Sequence, residues 1–168
     1  ECVANADYVQ ESVVEEISLK QDILAQIDAH ALAHVLIGSS TSFITLSLCR
    51  ARARQHPERI AIVHPTLPQW DDFVEVLGSC VEHTAWLAAL FGRDRLGMDA
   101  ITMRKENYGH VHNCCLAMLS NTATGMIKAG ITSPADLDRA LVHMARLIIS
   151  ADGLGGAMVG MVGNGDEE

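Results

Sequence analysis

The 168-residue sequence is poor in basic residues. Its 12 lysines and arginines against 21 aspartates and glutamates give a formal net charge of -9, which argues against a nucleic-acid backbone or an anionic membrane as the main partner. A local basic patch formed by Arg50, Arg52, Arg54 and Arg59 is interpreted as a solvated helix face. No uncharged apolar stretch is long enough to cross a bilayer.

Disulfide, targeting and phosphate-binding motifs are also lacking. The five cysteines show no CxxC spacing and there is no signal-peptide pattern, so we expect a cytoplasmic protein or one of an organelle matrix. No GxGxxG turn occurs before Glu15, and no strand precedes the glycine-rich stretch 153–165, so neither region predicts a phosphate-binding loop. The chain begins at Glu1 in what reads as the middle of a fold, which indicates a piece of a longer protein.

Short apolar strands alternate with amphipathic helices over the first two thirds of the sequence. Hydrophobic residues make up 49% of the chain, enough for a core. The predicted strands are 6–14, 33–37, 60–63 and 99–104, and the predicted helices begin at Glu15, at the turn 38–42 (ending near His56) and at Cys80. This order at short spacing predicts an α/β fold with a parallel sheet.

The last third of the sequence reads as helical. Residues 113–129 carry apolar side chains at helical spacing. Ser133-Pro134-Ala135-Asp136 is a strong helix start, with a cap, a proline in the first turn and an acid at the third position. The predicted buried face of this last helix consists of Leu137, Leu141, Met144 and Ile148. Because these apolar faces need a partner, we expect a homodimer formed through the C-terminal helices.

A histidine and a carboxylate stand out around the apolar run 60–63. His64 follows this run, where a strand ends and a side chain can face a crevice, and Glu75 lies inside the apolar stretch 73–77. A carboxylate buried in this way is costly unless it meets a cation or a strong donor. His64 is the natural partner, because a carboxylate on one ring nitrogen fixes the tautomer and leaves the other nitrogen free as a base. A purely structural histidine remains the competing interpretation.

Two other clusters have both a structural and a functional interpretation. The hydroxyls of the turn 38–42 can cap the next helix, or they can lie at the carboxyl end of a strand, where open α/β sheets bind ligands. His110 and His112, with Cys114 and Cys115, are residue types that bind zinc. Their run crosses a loop-to-helix boundary, so they do not share the single face that a tetrahedral site needs, and we predict no metal there.

Seven short segments, taken in order along the chain, match the motifs of one enzyme family. They are ADYVQESVVE at 6–15 (family pattern ADLVIEAVPE, followed by a lysine at Lys20), GSSTS at 38–42 (ASNTS), PER at 57–59 (PER), HPTLP at 64–68 (HPFNP), FVEV at 73–76 (LVEV), GHVHN at 109–113 (GFIVN) and TSPADLD at 132–138 (SPEDLD). On these segments the chain resembles the 3-hydroxyacyl-CoA dehydrogenase family, with its lambda-crystallin, L-gulonate 3-dehydrogenase and carnitine dehydrogenase branches. Pro65 favours the sugar-acid and carnitine branches.

The resemblance implies NAD-dependent oxidation of a 3-hydroxy group on a small hydroxy acid or a hydroxyacyl-CoA. It implies that His64 is the general base that takes the hydroxyl proton while hydride passes to NAD. Glu75 would hold His64 and stabilise the imidazolium that forms. Ser42 and Asn113 would orient the substrate oxygen.

The resemblance also implies how the cofactor and the domains are arranged. Glu15, Lys20 and Ser42 would lie on the nicotinamide side of NAD. Residues 1–105 would be an incomplete Rossmann-type NAD-binding domain without its GxGxxG start, and residues 106–168 a truncated α-helical dehydrogenase domain. Since the missing groups hold the pyrophosphate on a helix N-terminus, the chain by itself is expected to bind NAD weakly or not at all.

Several departures from the family motifs favour an alternative, a catalytically inactive structural or binding relative on the same fold, comparable to lambda-crystallin. Leu67 replaces the asparagine of HPFNP, and Cys114 replaces the arginine that usually follows the motif asparagine. His110 and His112 replace apolar neighbours. The retention of all four predicted catalytic residues favours the enzyme, because a crystallin-like role needs none of them.

Overall fold

The chain divides into two units, Glu1–Leu116 and Ala117–Glu168. The structure, a computed structural model, describes residues 2–66, 72–151 and 153–154. Leu67 and nearly all of the glycine-rich stretch 153–165 lie outside the described residues.

In the described part of the first unit, one five-stranded sheet carries its strands in chain order. The strands are β1 (Tyr8–Glu11), β2 (Leu36–Ser39), β3 (Ile60–Pro65), β4 (Phe73–Leu77) and β5 (Asp99–Thr102). The predicted α/β class with a mainly parallel sheet is confirmed, but β4 runs antiparallel to β3. The connection between these two strands is too short for a parallel crossover, which takes about a dozen residues or more. His64 therefore lies within β3 and faces β4, rather than following the strand.

Helices connect the strands and make up most of the described part of the second unit. They are α1 (Ile17–His30), α2 (Leu46–Cys49), α3 (Val81–Phe91), α4 (His112–Lys128) and α5 (Pro134–Ser150), with a 3-10 turn at Pro57–Arg59. The start of α1 is fixed by Glu16, whose carboxylate accepts hydrogen bonds from the backbone N–H groups of Ser18 and Leu19 at 3.0 and 2.6 Å. A carboxylate at this position also suits the positive end of the helix dipole.

The long helix predicted to run to His56 ends at Cys49 instead. The reason is Asp28 on α1, which is 2% exposed and accepts hydrogen bonds from the three consecutive backbone N–H groups of residues 54–56. Amides bound to this side chain do not continue a helix. Arg59 is also 2% exposed and pairs with Asp28 (Nη2 to Oδ1, 3.1 Å), so the prediction of a solvated basic face is wrong for this residue.

Strand β3 is buried on both faces of the sheet. Ile62 belongs to the apolar cluster that contains Leu24 of α1, whereas its neighbour Val63 belongs to the cluster that contains Leu87 of α3. Successive side chains of a strand point to opposite faces, so a continuous apolar run is what two covering layers require. His64 is thus held near the end of a strand that is covered on both faces.

In the second unit, the predicted start of α5 is confirmed. Ser133 Oγ accepts a hydrogen bond from the backbone N–H of Asp136 at 3.1 Å, and Pro134 occupies the first turn. Of the predicted buried face, Leu137 is buried and Met144 is 41% exposed, so the described residues cover only part of that face. No helix in the described ranges is long and apolar enough to cross a membrane.

Candidate active site

The candidate site begins where β3 and β4 lie side by side. His64 is directly opposite Glu75 in the antiparallel register, and His64 Nδ1 is 3.0 Å from Glu75 Oε2. Glu75 is 0% exposed and His64 5% exposed. An ionised carboxylate can only accept hydrogen bonds, so His64 Nδ1 carries the hydrogen and, in the neutral ring, Nε2 keeps its lone pair.

The second oxygen of Glu75 is bound by backbone amides at the start of α4. Val111 N–H and His112 N–H donate to Glu75 Oε1 at 2.8 and 2.9 Å. Burial opposes ionisation of this carboxylate, but the hydrogen bonds from His64 and from the two amides outweigh it and keep the pKa of Glu75 below its ordinary value. Glu75 is therefore an ionised acceptor that His64 and α4 share.

A left-handed stretch of backbone aims these two amides at Glu75. Gly109 has φ +73° and His110 φ +53°, and His110 is the one non-glycine residue with positive φ among those described. When left-handed residues precede a helix, successive N–H groups converge and form a concave site for an anion. The carboxylate of Glu75 fills this concave site and also lies at the positive end of α4.

His110 adds a second imidazole beside His64. Their ring centroids are 5.2 Å apart, and His110 Nε2 is 2.7 Å from the carbonyl oxygen of Thr41. A carbonyl oxygen only accepts, so His110 Nε2 carries the hydrogen. Burial lowers the pKa of His110, as does the neighbouring charge of His64, while the Thr41 carbonyl and the charge of Glu75 act in the opposite direction with less effect.

The turn after β2 is held on one side by Glu15. Glu15 Oε1 accepts hydrogen bonds from Thr41 Oγ1 at 2.5 Å, Ser42 N–H at 2.9 Å and Phe43 N–H at 3.0 Å. Partial burial opposes ionisation of Glu15, but these donors and the charge of Lys20 keep its pKa below the ordinary value. The Thr41 hydroxyl thus donates to a carboxylate of the preceding connection and also accepts a hydrogen bond from the backbone N–H of Ile44 at 2.9 Å.

Residues 109–113 hold the carbonyl groups of the same turn. The carbonyl of Thr41 accepts from His110 Nε2, that of Ser42 from Asn113 Nδ2 at 3.1 Å, and that of Phe43 from Gly109 N–H at 3.3 Å. One short segment, residues 109–113, therefore bonds to the turn 41–43 and to Glu75 together. It brings Ser42, Asn113 and the His64–Glu75 pair to one end of the sheet.

Lys20 lies beneath this end of the sheet and is 1% exposed. Its Nζ is 2.9 Å from Glu11 Oε1, 3.0 Å from the carbonyl of Val13 and 3.5 Å from Glu15 Oε2. Ser39 Oγ donates to the other oxygen of Glu11 at 2.5 Å. A buried ammonium needs such partners, and here they tie the ends of β1 and β2 together.

Three residues of the site were missed by sequence reasoning: Glu11, Thr41 and His110. A signal existed for Glu11, a carboxylate at the end of a strand with Lys20 nine positions further on. Thr41 was seen only as one hydroxyl among several. The sequence marks His110 as a zinc-type residue and as a departure from the family motif, but no spacing rule relates it to a carbonyl group 69 residues away.

The zinc-type cluster is not assembled as a metal site in the described residues. His110 bonds to the Thr41 carbonyl, whereas the ring of His112 packs against Phe73 with centroids 5.7 Å apart. The described ranges contain no group of three or more histidine, cysteine or acidic side chains that could hold a metal ion.

Two of the predicted cofactor residues reach the surface where a dinucleotide would lie. Strands β1 and β2 are parallel and end beside Glu15 and Ser42, and open α/β sheets bind ligands outside these carboxyl ends. The side chain of Glu15 is 36% exposed, and Ser42 is half-buried. This edge of the sheet therefore presents polar atoms to solvent. Lys20, which is buried, fits a supporting position behind Glu15.

Comparison with known proteins decides the family. The family model described as 3-hydroxyacyl-CoA dehydrogenase, NAD binding domain, matches residues 1–89. The chain belongs to the 3-hydroxyacyl-CoA dehydrogenase family. It is 37% identical over 142 residues to an L-carnitine dehydrogenase of Mesorhizobium japonicum, covering 82% of this chain and 38% of that protein. It is 39% identical over 145 residues to an L-carnitine dehydrogenase of Pseudomonas aeruginosa, covering 84% of this chain and 44% of that protein.

The solved structures agree with the 3-hydroxyacyl-CoA dehydrogenase assignment. The crystal structure of 5-formyl-3-hydroxy-2-methylpyridine 4-carboxylic acid 5-dehydrogenase, an NAD+-dependent dismutase, matches with a TM-score of 0.82 at 27% identity, covering 95% of this chain and 52% of that one. The predicted Rossmann-type fold and the predicted NAD cofactor are thereby confirmed for this member of a family of NAD-dependent oxidoreductases. The chain spans less than half the length of the two curated relatives named above.

Proposed function

We propose that the protein containing this chain oxidises a 3-hydroxy group, passing hydride to NAD, with His64 as the base. The observation that carries the proposal is the buried His64–Glu75 contact. The carboxylate accepts a hydrogen bond from Nδ1–H, so that Nε2 is the basic nitrogen of the ring. The substrate we favour is a small 3-hydroxy acid over a hydroxyacyl-CoA, because relatives at 37% and 39% identity carry the name L-carnitine dehydrogenase.

The chain's own residues divide the work around the reacting hydroxyl. His64 Nε2 takes the hydroxyl proton, and the charge that then develops on the ring is stabilised by Glu75 across the 3.0 Å contact. NAD, when bound, would supply the acceptor for the hydride that leaves the carbon bearing this hydroxyl. Ser42 and Asn113, which are bonded to each other through the Ser42 carbonyl, hold the substrate oxygen in front of His64.

The cofactor side of the site is assigned to Glu15, Ser42 and Lys20. Glu15 fixes the backbone of the turn 41–43 through three hydrogen bonds and still exposes part of its carboxylate. Lys20 supports Glu15 from below at 3.5 Å. The proposal extends to the division of the chain, with residues 1–105 as the incomplete NAD-binding domain and 106–168 as the start of a helical domain that dimerises.

The test is turnover by the full-length protein with NAD and a panel of small 3-hydroxy acids and 3-hydroxyacyl-CoA thioesters. His64→Gln should lower kcat/KM by about 100- to 10,000-fold, the usual contribution of a general base. His143→Gln is the matched control, because His143 is an exposed histidine outside the site. Calorimetric titration of NAD into the same variants should show unchanged binding.

A crystallin-like relative on the same fold is the second candidate function, favoured by Cys114 at the position after Asn113. It predicts no turnover with any member of the panel, whether or not NAD binds. If His64→Gln left turnover unchanged, His64 would not be the base, but the protein would still be an oxidoreductase. The two results therefore separate the assignment of the residue from the assignment of the activity.

A further inference from the structure

We propose that His110 is a further positioning residue of this site, whose imidazole ties the turn 41–43 to the His64–Glu75 pair and sets the orientation of the His64 ring. The inference rests on the proposed function, since it gives His110 a part in preparing the base.

The backbone of His110 is held in a conformation that side chains rarely adopt. The residue is 1% exposed, and its φ is +53°. A buried non-glycine residue keeps such a backbone only where its surroundings fix it, and residues held in this way cluster at functional sites. Here Asn107 supplies the restraint: its side-chain amide donates to the His110 carbonyl at 2.8 Å, and its own carbonyl accepts from His110 N–H at 3.1 Å.

The strained backbone of His110 has two consequences, and both concern the His64–Glu75 pair. It directs the N–H groups of Val111 and His112 to Glu75, and it places the His110 ring between His64 and the Thr41 carbonyl. The backbone of His110 thus positions the carboxylate, while its side chain positions the turn and the base.

The two rings carry opposite tautomers. His64 donates through Nδ1 to Glu75, and His110 donates through Nε2 to Thr41. Charge on one ring opposes charge on the other at a centroid separation of 5.2 Å. The other charged groups near His110 are Glu75 on β4, Glu15 before α1, and Arg104 and Lys105, which line the same cavity of about 440 Å³. His110 is therefore suited to remain neutral when His64 receives a proton.

Position 110 offers variants that separate the hydrogen bond from the ring contact. His110→Phe keeps an aromatic ring against His64 and removes the donor to Thr41; it also restores the residue of the family motif GFIVN. His110→Ala removes both. His143→Phe is the control, since it makes the same change at an exposed position of the second unit.

The experiment is NMR of the full-length protein with labelled histidine rings and backbone amides. In His110→Phe, the Ser42 and Phe43 amides should exchange with solvent about tenfold faster, while the His64 Nδ1–H signal persists. In His110→Ala, that His64 signal should broaden or vanish as well. His64→Gln should raise the pKa of His110, because the neighbouring charge is removed. His143→Phe should change none of these signals.

Unchanged exchange at Ser42 and Phe43 in His110→Phe, or loss of amide protection throughout the sheet in both variants, would overturn the proposal. In the full-length protein, His110→Phe should lower kcat by about tenfold or more with KM changed by less than about twofold. An unchanged kcat would overturn the positioning role and leave the proposed function intact. If the expected NMR changes were observed but the full-length protein showed no turnover, the positioning of the His64 ring by His110 would stand and the proposed enzymatic function would be wrong.

Discussion

Replacing Glu75 by glutamine should reverse the tautomer of His64. The carboxylate accepts from three donors: the backbone N–H groups of Val111 and His112 on Oε1, and His64 Nδ1–H on Oε2. A glutamine oxygen can accept both backbone hydrogen bonds, which are fixed by the start of α4. Its NH2 group then faces His64 Nδ1, which must give up its hydrogen and become the acceptor. The hydrogen moves to Nε2, the nitrogen that should accept the substrate proton.

The expected effects of Glu75→Gln on stability and on activity differ in size. All three contacts of the side chain remain, with one reversed in direction, so the free energy of unfolding should fall by only about 1–3 kcal/mol from the loss of the charge-assisted hydrogen bonds. Activity should fall much further. An inverted histidine tautomer in a serine protease triad costs about 10,000-fold in kcat, which corresponds to about 5 kcal/mol of transition-state stabilisation.

Long-range nitrogen–carbon NMR on the labelled His64 ring distinguishes the two tautomers directly, and steady-state kinetics of the full-length protein gives the loss in kcat. Glu58→Gln is the matched control: Glu58 Oε1 is 3.2 Å from His56 Nδ1, but both side chains are largely exposed. That substitution should alter neither His64 nor the rate. If Glu75→Gln left His64 in its Nδ1–H form, or lowered kcat by less than about tenfold, the assignment of Glu75 as the group that sets the tautomer would be refuted.

Two further predictions concern stability. Asp28→Ala leaves the buried Arg59 guanidinium without its counter-charge, so it should lower the free energy of unfolding, measured in urea, by about 3–5 kcal/mol. The control Asp22→Ala removes an exposed partner of Arg52 and should change the free energy of unfolding by less than about 1 kcal/mol. Equal effects of the two substitutions would contradict this reasoning. The pKa values of Glu75 and Asp28 lie below their ordinary values of 4.5 and 3.8, so their contribution to stability is present above those values and is lost as the pH falls through the folded-state pKa. Urea midpoints should hardly change between about pH 7 and 5 through these groups and should fall at lower pH, and a midpoint that rises on acidification would contradict the ionised state of both carboxylates.

The apolar part of β3 follows from local sequence. Residues 60–63 form an apolar run too short for a helix, and the structure buries that run on both faces. The start of α5 at Ser133 is also local, because the cap, the proline and the acid lie within four consecutive residues. Features of this kind depend on side chains that contact their own neighbours along the chain.

The parts that sequence reasoning got wrong depend on distant contacts. The helix expected to reach His56 ends early because Asp28, more than twenty positions upstream, binds the amides of residues 54–56. The same carboxylate buries Arg59, which local composition placed on a solvated face. Strand β4 is not among the predicted strands, and its antiparallel direction follows from a connection after β3 that is too short for a parallel crossover.

The candidate site shows the same division at a finer scale. A histidine and a glutamate eleven positions apart could be proposed as partners from the cost of burying a carboxylate. The contacts that complete the arrangement could not be predicted, since His110 reaches a carbonyl group 69 positions away and Glu15 bonds to a turn 26 to 28 positions further on. Backbone amides and carbonyls are common to nearly all residues, so a sequence motif does not show which of them will bind a side chain.

The amides of Val111 and His112 solve a problem that the His64–Glu75 pair alone would have. A fully buried carboxylate that relied on His64 for all its stabilisation would favour a proton on the ring before substrate arrived, and a protonated ring is no base. Two backbone N–H groups at 2.8 and 2.9 Å, at the positive end of α4, keep Glu75 ionised without that proton. In the proposed mechanism, the full negative charge would then be available across 3.0 Å at the step in which His64 takes the substrate proton, where stabilisation lowers the barrier. The left-handed backbone of Gly109 and His110 is the structural cost of supplying those two amides.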